Sequence, residues 1–254
     1  MSKTTIAAQL YTLRDFLKTP ADIAKTLHRV RAMGYEAVQL SALGPIDAKE
    51  LDRIVRGEGL TVAATHVSLD EMRTQTQRVI DDHKLWNCNY TAIGGFFQDR
   101  FVKQDWTNFI QAYNDAARKF TGSGLAIGYH NHSHELMRFD GKTPMQMLVD
   151  GLSRDIWFEV DTYWITHGGG DPIQWINNVA GRIPCIHLKD MVIGSDRQQQ
   201  MAEVGEGNLN WTGILAATKT AGVQWYIIEQ DICQRDPFES LSISLKNAKG
   251  MGLR

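Results

Sequence analysis

The chain is poor in cysteine. Cys88, Cys185 and Cys233 are the only three in 254 residues, and no two form a Cys-x-x-Cys pair. So sparse a set excludes a disulfide framework and a zinc ribbon, and it fits a reducing cytosol. Long apolar runs are also missing: no stretch reaches the roughly 18 residues that a membrane-spanning helix needs. The opening "MSKTTIAAQLYTLRDF" has no apolar core of the secretory kind before Thr12-Leu13-Arg14-Asp15. A soluble, cytoplasmic protein without a membrane partner is expected. Neither sign of charge dominates, with 27 Lys and Arg against 29 Asp and Glu for a net of −2. A chain so balanced lacks the positive field that draws proteins to phosphate backbones, so no nucleic-acid partner is expected. No Gly-x-Gly-x-x-Gly follows the first apolar run, which removes the fingerprint of a dinucleotide-binding open sheet.

What the chain has is a regular alternation. Apolar runs at Ile6–Leu10, Ala37–Leu40, Thr61–Thr65, Tyr90–Ile93, Ala126–Tyr129, Trp157–Val160, Cys185–Leu188 and Trp225–Ile228 read as strands. Between them lie segments of helical spacing: Ala21–Ala32, Asp47–Glu58, Ser68–Trp86, Trp106–Phe120, Thr143–Gly151, Pro172–Val179, Trp211–Ala221 and Pro237–Gly250. Gly34, Gly59, Gly124 and Gly222 stand just past helix ends, and Thr143-Pro144 reads as an N-cap with proline at the first helical position. Eight strands alternating with eight helices predict an α/β fold, a single (β/α)8 TIM barrel, in one domain over residues 1–254.

In such a barrel the active site lies where the strands end. Polar residues gather there. Gln9 closes the first run and His66 the third; Asp161 closes the sixth; His187, Lys189 and Asp190 close the seventh; Glu229, Gln230 and Asp231 close the eighth. After the fifth run, "GLAIGYHNHSHEL" places His130, His132, His134 and Glu135 within six residues. Asp161, His187 and Glu229 fall where strand-end side chains point inward. Two carboxylates and an imidazole, with a fourth oxygen or nitrogen ligand from the fifth strand, suit Mn²⁺, Mg²⁺, Co²⁺ or Zn²⁺. The absence of thiolates argues against a closed structural zinc site.

Each residue also has a structural alternative. Asp161 could merely cap the following loop, His187 could be a satisfied core imidazole, and His66 could mark the helix entry before Ser68. His134 could face solvent, and His28 and His83 lie in helical patterns as surface residues. Glu229 is the hardest to explain this way. A carboxylate ending the run Trp225-Tyr226-Ile227-Ile228 is costly unless paired or metal-bound.

The order and spacing of "QLYTLRD" (9–15), "GYEAVQLS" (34–41), "YHNHSHEL" (129–136), "EVDTYWITHGG" (159–169), "HLKD" (187–190), "VGEGNLNW" (204–211) and "IIEQD" (227–231) resemble the xylose isomerase-like barrels. The likeness is to their sugar phosphate isomerase/epimerase group, and it runs over essentially the whole chain. It implies a divalent metal, Mn²⁺ foremost, held by four residues that end strands five to eight. Asp161, His187 and Glu229 match three of those places. The usual glutamate of strand five, near Tyr129 or His130, is missing. Glu135, His130 or His132 must take its place, with Glu135 favoured, or the site has only three protein ligands.

The activity implied is isomerisation or epimerisation of a keto-sugar or related polyol through an enediolate. Glu229, His130 or His132 would move the proton, and Lys189 would steady the developing oxyanion. Gln9, His66 and Trp164 would contact the substrate, with Tyr11 and Phe96 as further walls. Two alternatives stand beside it: a metal-dependent lyase or dehydratase acting on an inosose or 3-keto-glycoside, and a non-catalytic sugar-binding barrel. The expected partner is a small sugar, and a homo-oligomer is compatible with the sequence.

Overall fold

The computed structural model describes residues 5–254. Eight parallel strands close into a ring. They are β1 (Thr5–Gln9), β2 (Ala37–Leu40), β3 (Thr61–His66), β4 (Tyr90–Ile93), β5 (Ala126–His130), β6 (Trp157–Asp161), β7 (Cys185–Leu188) and β10 (Trp225–Ile228). Neighbours in sequence are neighbours in the ring, and β10 pairs with both β7 and β1. This is the closed (β/α)8 barrel expected, with every strand boundary within one residue of its predicted place.

The helices follow from local signals. In α1 (Pro20–Ala32), Ile23, Leu27 and Val30 form a buried stripe at helical spacing, and Thr19 closes a capping box with Asp22. α6 (Pro144–Gly151) is capped by the Thr143 hydroxyl, as expected, and α2 (Ala48–Gly57) by the carboxylate of Asp47, the residue read as its first. The single helix predicted over Ser68–Trp86 is instead two, α3 (Leu69–Thr74) and α4 (Thr76–Leu85). Gln75 leaves helical geometry at φ −127°, ψ 31°. The Thr74 and Thr76 hydroxyls bond back to the carbonyls of Asp70 and Met72, a competition with the helix ladder that periodicity does not reveal. α5 (Lys103–Arg118), α8 (Pro172–Asn178), α9 (Trp211–Ala221) and α10 (Pro237–Gly250) complete the outer ring. A short helix missed in the sequence, α7 (Thr162–His167), starts on Asp161.

Two cores result. The outer one packs strand residues such as Ile6, Val38, Ile127, Phe158, Val160, Ile186 and Ile228 against the helices. The inner one is built largely of alanines (Ala7, Ala37, Ala63, Ala64 and Ala92) with Cys185 and Ile227 around Trp157. The small residues leave room for the indole, which lies over Gly128 where any side chain would overlap its ring. Its Nε1 donates to the Ala126 carbonyl at 3.1 Å. The ring is thus plugged with apolar groups below and left to polar side chains above.

One feature of the rim has no periodic signature. β8 (Asp190–Ile193) and β9 (Gln199–Ala202) form an antiparallel hairpin after β7. It is short, largely exposed and rich in glutamine, so it reads as loop. The Asp190 carboxylate ties it down by accepting from the backbone N–H groups of Met191, Gly205, Gly207 and Leu209 and from the Trp211 indole. "HLKD" and "VGEGNLNW" are therefore one structural unit.

Candidate active site

Register brings the polar strand ends to common levels. His130 pairs with Glu159, Asp161 with His187, and Gln9 with Gln39. Residues opposite one another in adjacent strands point to the same face, here the barrel interior.

At the mouth, His130, Asp161, His187 and Glu229 each present a ligand atom, and these atoms all lie within 4.8 Å of one another. Asp161 Oδ2 is 3.3 Å from His130 Nε2 and 3.6 Å from His187 Nδ1. Glu229 Oε2 is 2.8 Å from His187 Nδ1. Lys189 Nζ joins the group, 3.1 Å from Asp161, 2.8 Å from Glu229 and 2.7 Å from Asp231. Asp161 caps a helix and also reaches the cluster. Its Oδ1 accepts from the Trp164 N–H as the cap of α7, which turns Oδ2 toward the imidazoles.

Electrostatics follow from burial and crowding. Burial pushes the Asp161 and Glu229 carboxyls up, but Lys189 and the imidazoles outweigh it and hold both below the usual carboxylate range. Burial and the neighbouring Glu229 push Asp231 up to about 6, against the pull of Lys189. Burial lowers Lys189, but Asp161, Glu229 and Asp231 outweigh this and raise it above its usual range. Burial and His187 lower His130, while burial and His130 lower His132 further. With Glu159, four carboxylates face the Lys189 ammonium and the His187 imidazole, which Glu159 and Glu229 hold well above its usual range against the effect of burial. Buried carboxylates in such number are stabilised by positive charge, and a divalent cation bound here would displace the His187 Nδ1 proton that otherwise supplies part of it.

The donor atoms fit one. His187 Nδ1 and Glu229 Oε2 are buried and face each other at 2.8 Å without hydrogen-bond geometry, and the same Glu229 oxygen is ion-paired with Lys189 at 2.8 Å. Ligand atoms about 2.1 Å from one ion stand roughly 3 Å apart, and the His187–Glu229, His130–Asp161 and His187–Asp161 separations of 2.8, 3.3 and 3.6 Å are near that value. A second trio, His66, Glu159 and His187, also has its donor atoms close together. It differs in being satisfied internally. Glu159 accepts from His66 Nε2 at 2.7 Å and from Gln39 Nε2 at 2.9 Å. Burial raises the Glu159 carboxyl, but His187 and His66 hold it well below its usual range.

Several expectations need correction. Glu135, the favoured fourth ligand, stands apart from the cluster. Its carboxylate accepts from the Tyr129 hydroxyl at 2.6 Å and the His132 N–H at 2.9 Å, which pins the "HNHSHE" turn. The fifth strand instead brings His130 to the cluster, because only positions of the same parity face inward. Gln9 is fully buried and lies beneath the mouth, its amide committed to Gln39 and the Tyr11 N–H. His66 stands at the mouth with its Nε2 on Glu159. His132 packs against His130 and Trp164, its Nδ1 unpartnered, and Trp164 also faces Lys189 with 5.8 Å from Nζ to the ring centre. Phe96 belongs to the aromatic core with Phe101, Trp106 and Phe109, while the exposed Phe97 lies against His132. His134 donates to the Phe96 carbonyl instead of facing solvent, and His83 is buried. Missed altogether were Gln39 and Glu159. Glu159 had a signal: a carboxylate two residues before Asp161 in an apolar strand shares its inward face.

The family model of the xylose isomerase-like TIM barrel matches residues 27–236. The chain belongs to that family. Among solved structures, this xylose isomerase-like barrel is similar to a sugar phosphate isomerase/epimerase from Parabacteroides distasonis, at 20% identity and a TM-score of 0.83 over 100% of this chain and 96% of that one. It is similar to an L-ribulose 3-epimerase at 16% identity and TM-score 0.74, covering 100% and 95% of the two chains. Among curated proteins it resembles the inosose dehydratases of Geobacillus kaustophilus, at 21% identity over 66% of this chain, and of Geobacillus thermodenitrificans, at 22% over 55%. It spans 61% and 52% of their respective lengths. Among the described residues, no helix is long and apolar enough to cross a membrane.

Proposed function

We propose that the protein is a divalent-metal-dependent isomerase or epimerase of a keto-sugar or related polyol. The observation that carries this reading is the convergence of His130, Asp161, His187 and Glu229, with two facing donor atoms left without hydrogen bonds. These four residues would hold the ion, with Mn²⁺ foremost and Mg²⁺, Co²⁺ and Zn²⁺ as alternatives, since two carboxylates and two imidazoles suit all of them. A divalent ion there would polarise a substrate carbonyl and stabilise the charge developing on its oxygen. Lys189, fixed by three carboxylates, supplies a second positive charge for a substrate oxygen. Glu229 takes the proton from the carbon beside the carbonyl. His132, kept neutral by burial and by His130, lies on the β5 side and is a second group able to take a proton there, while the Glu229 carboxyl, once protonated, is the group that returns one. Trp164 and His66 wall the substrate. The similarity to an L-ribulose 3-epimerase supports this chemistry, and the three free thiols fit a cytoplasmic setting.

One observation favours a second reading, a lyase or dehydratase acting on an inosose or 3-keto-glycoside. The fifth strand offers an imidazole where a two-carboxylate epimerase would place a second carboxylate, and the curated relatives are named inosose dehydratases. Incubation with Mn²⁺ and a panel of ketoses, inososes and 3-keto-glycosides in D₂O separates the two. Deuterium wash-in without elimination supports the isomerase; loss of water or of a glycosidic group supports the lyase; neither, with metal bound, refutes both.

A further inference from the structure

Beneath the mouth lies a chain of amide and carboxylate groups whose proton positions can be deduced. The Tyr11 backbone N–H can only donate, and it lies 3.2 Å from Gln9 Oε1. That fixes the Gln9 amide, so its Nε2 donates to Gln39 Oε1 at 2.8 Å. The other end of Gln39 faces both oxygens of Glu159, at 2.9 and 3.2 Å, and an ionised carboxylate only accepts. Gln39 is thus fixed from both sides, with its carbonyl oxygen turned to β7. His187 Nε2 stands 2.6 Å from that oxygen, and Glu159 Oε1 lies 3.3 Å from the same nitrogen. Two acceptors meet that nitrogen, so it carries a hydrogen; Nδ1 faces Glu229 Oε2 at 2.8 Å and Asp161 Oδ2 at 3.6 Å, so the second hydrogen of the metal-free ring lies there and is the one a cation would displace.

We infer that Gln39 and Glu159 are positioning residues that hold the His187 proton on Nε2 and so leave Nδ1 as the nitrogen offered to the cation. The inference rests on the metal reading above, and it explains why buried polar groups occupy an otherwise apolar ring. Gln9, Gln39 and Glu159 are all fully buried, and none belongs to the group of four. Outer partners of this kind, which accept the second N–H of a ligating histidine, set its tautomer and ring orientation. A backbone N–H after β1 thus bears, through two amides, on which nitrogen of a β7 histidine keeps its hydrogen and which a cation would claim.

The test has two readouts. In ¹⁵N-histidine protein, with and without added Zn²⁺, one-bond and long-range ¹H–¹⁵N correlations should show the His187 proton on Nε2. A bare Nε2 overturns the inference. Mn²⁺ affinity, titrated by electron paramagnetic resonance, should fall about 10- to 100-fold in Gln39→Met, the loss typical of such outer partners. It should also fall in Glu159→Gln, which takes the charge from one of the two acceptors at His187 Nε2, and there the His187 Nε2–H signal should weaken as well. A folded Gln39→Met that binds Mn²⁺ like the wild type overturns the inference. If Gln39→Met does not fold, the wild-type spectrum and Glu159→Gln decide. If the wild type binds no metal, the proposed function fails, while the spectrum still decides where the proton sits.

Discussion

Glu229→Gln gives the sharpest test of the site. The substitution keeps volume and removes one charge. Lys189 keeps Asp161 and Asp231 as partners, so the folded chain should survive. What should go is the stabilisation that metal confers. A ligand at 100 times its Kd stabilises the folded state by about 2.7 kcal/mol. For a chain of 254 residues, an unfolding entropy near 2.1 cal/mol/K per residue converts that to a Tm rise of roughly 5 °C. Replacing one of four ligands should weaken binding by at least the ~100-fold upper range found for outer partners. At the same Mn²⁺ concentration the gain then drops to about 0.4 kcal/mol, a shift of roughly 1 °C. Differential scanning fluorimetry with and without Mn²⁺, after chelator treatment, measures both. A variant that keeps the full Mn²⁺ shift, or near-wild-type turnover in the D₂O panel, refutes the role given to Glu229.

Other consequences follow from the packing. Burial lowers His83 from 6.5 to about 4, opposed by its bond to the Val79 carbonyl. The unfolded chain therefore binds a proton that the folded chain refuses, and stability should fall by about 3 kcal/mol as pH drops from roughly 6.5 to 4. His83→Gln should remove that part of the slope in urea titrations; an unchanged slope would show that other groups carry it. Asp190→Asn should cost about 2–4 kcal/mol, because an amide offers one acceptor oxygen where the carboxylate serves five donors with two. Gly207→Ala should be damaging for a related reason: a Cβ there would overlap the Asp190 carboxylate. Denaturant midpoints within experimental error of wild type in both variants would discard this account of the hairpin.

Much of the molecule was legible from one dimension. Eight apolar runs at barrel spacing, punctuated by glycine after helices and by Thr143-Pro144 before one, determined the architecture. Local propensity, capping and the need to bury each apolar stripe all point the same way. Asp161, His187 and Glu229 were also legible, because a strand end in a barrel has a known address. Tertiary structure decided the rest. Which member of "YHNHSHE" reaches the cluster depends on strand parity and on where the turn begins, so His130 enters and Glu135 is diverted to Tyr129 and His132. Gln39 and Glu159 acquire meaning only when β2, β6 and β7 are brought side by side. The Ser68–Trp86 helix broke at Gln75 through side-chain bonds to the backbone that no period records. A sequence fixes which face of each strand is buried, but only closure of the ring fixes which buried groups meet, and a proton or a cation is held by the meeting.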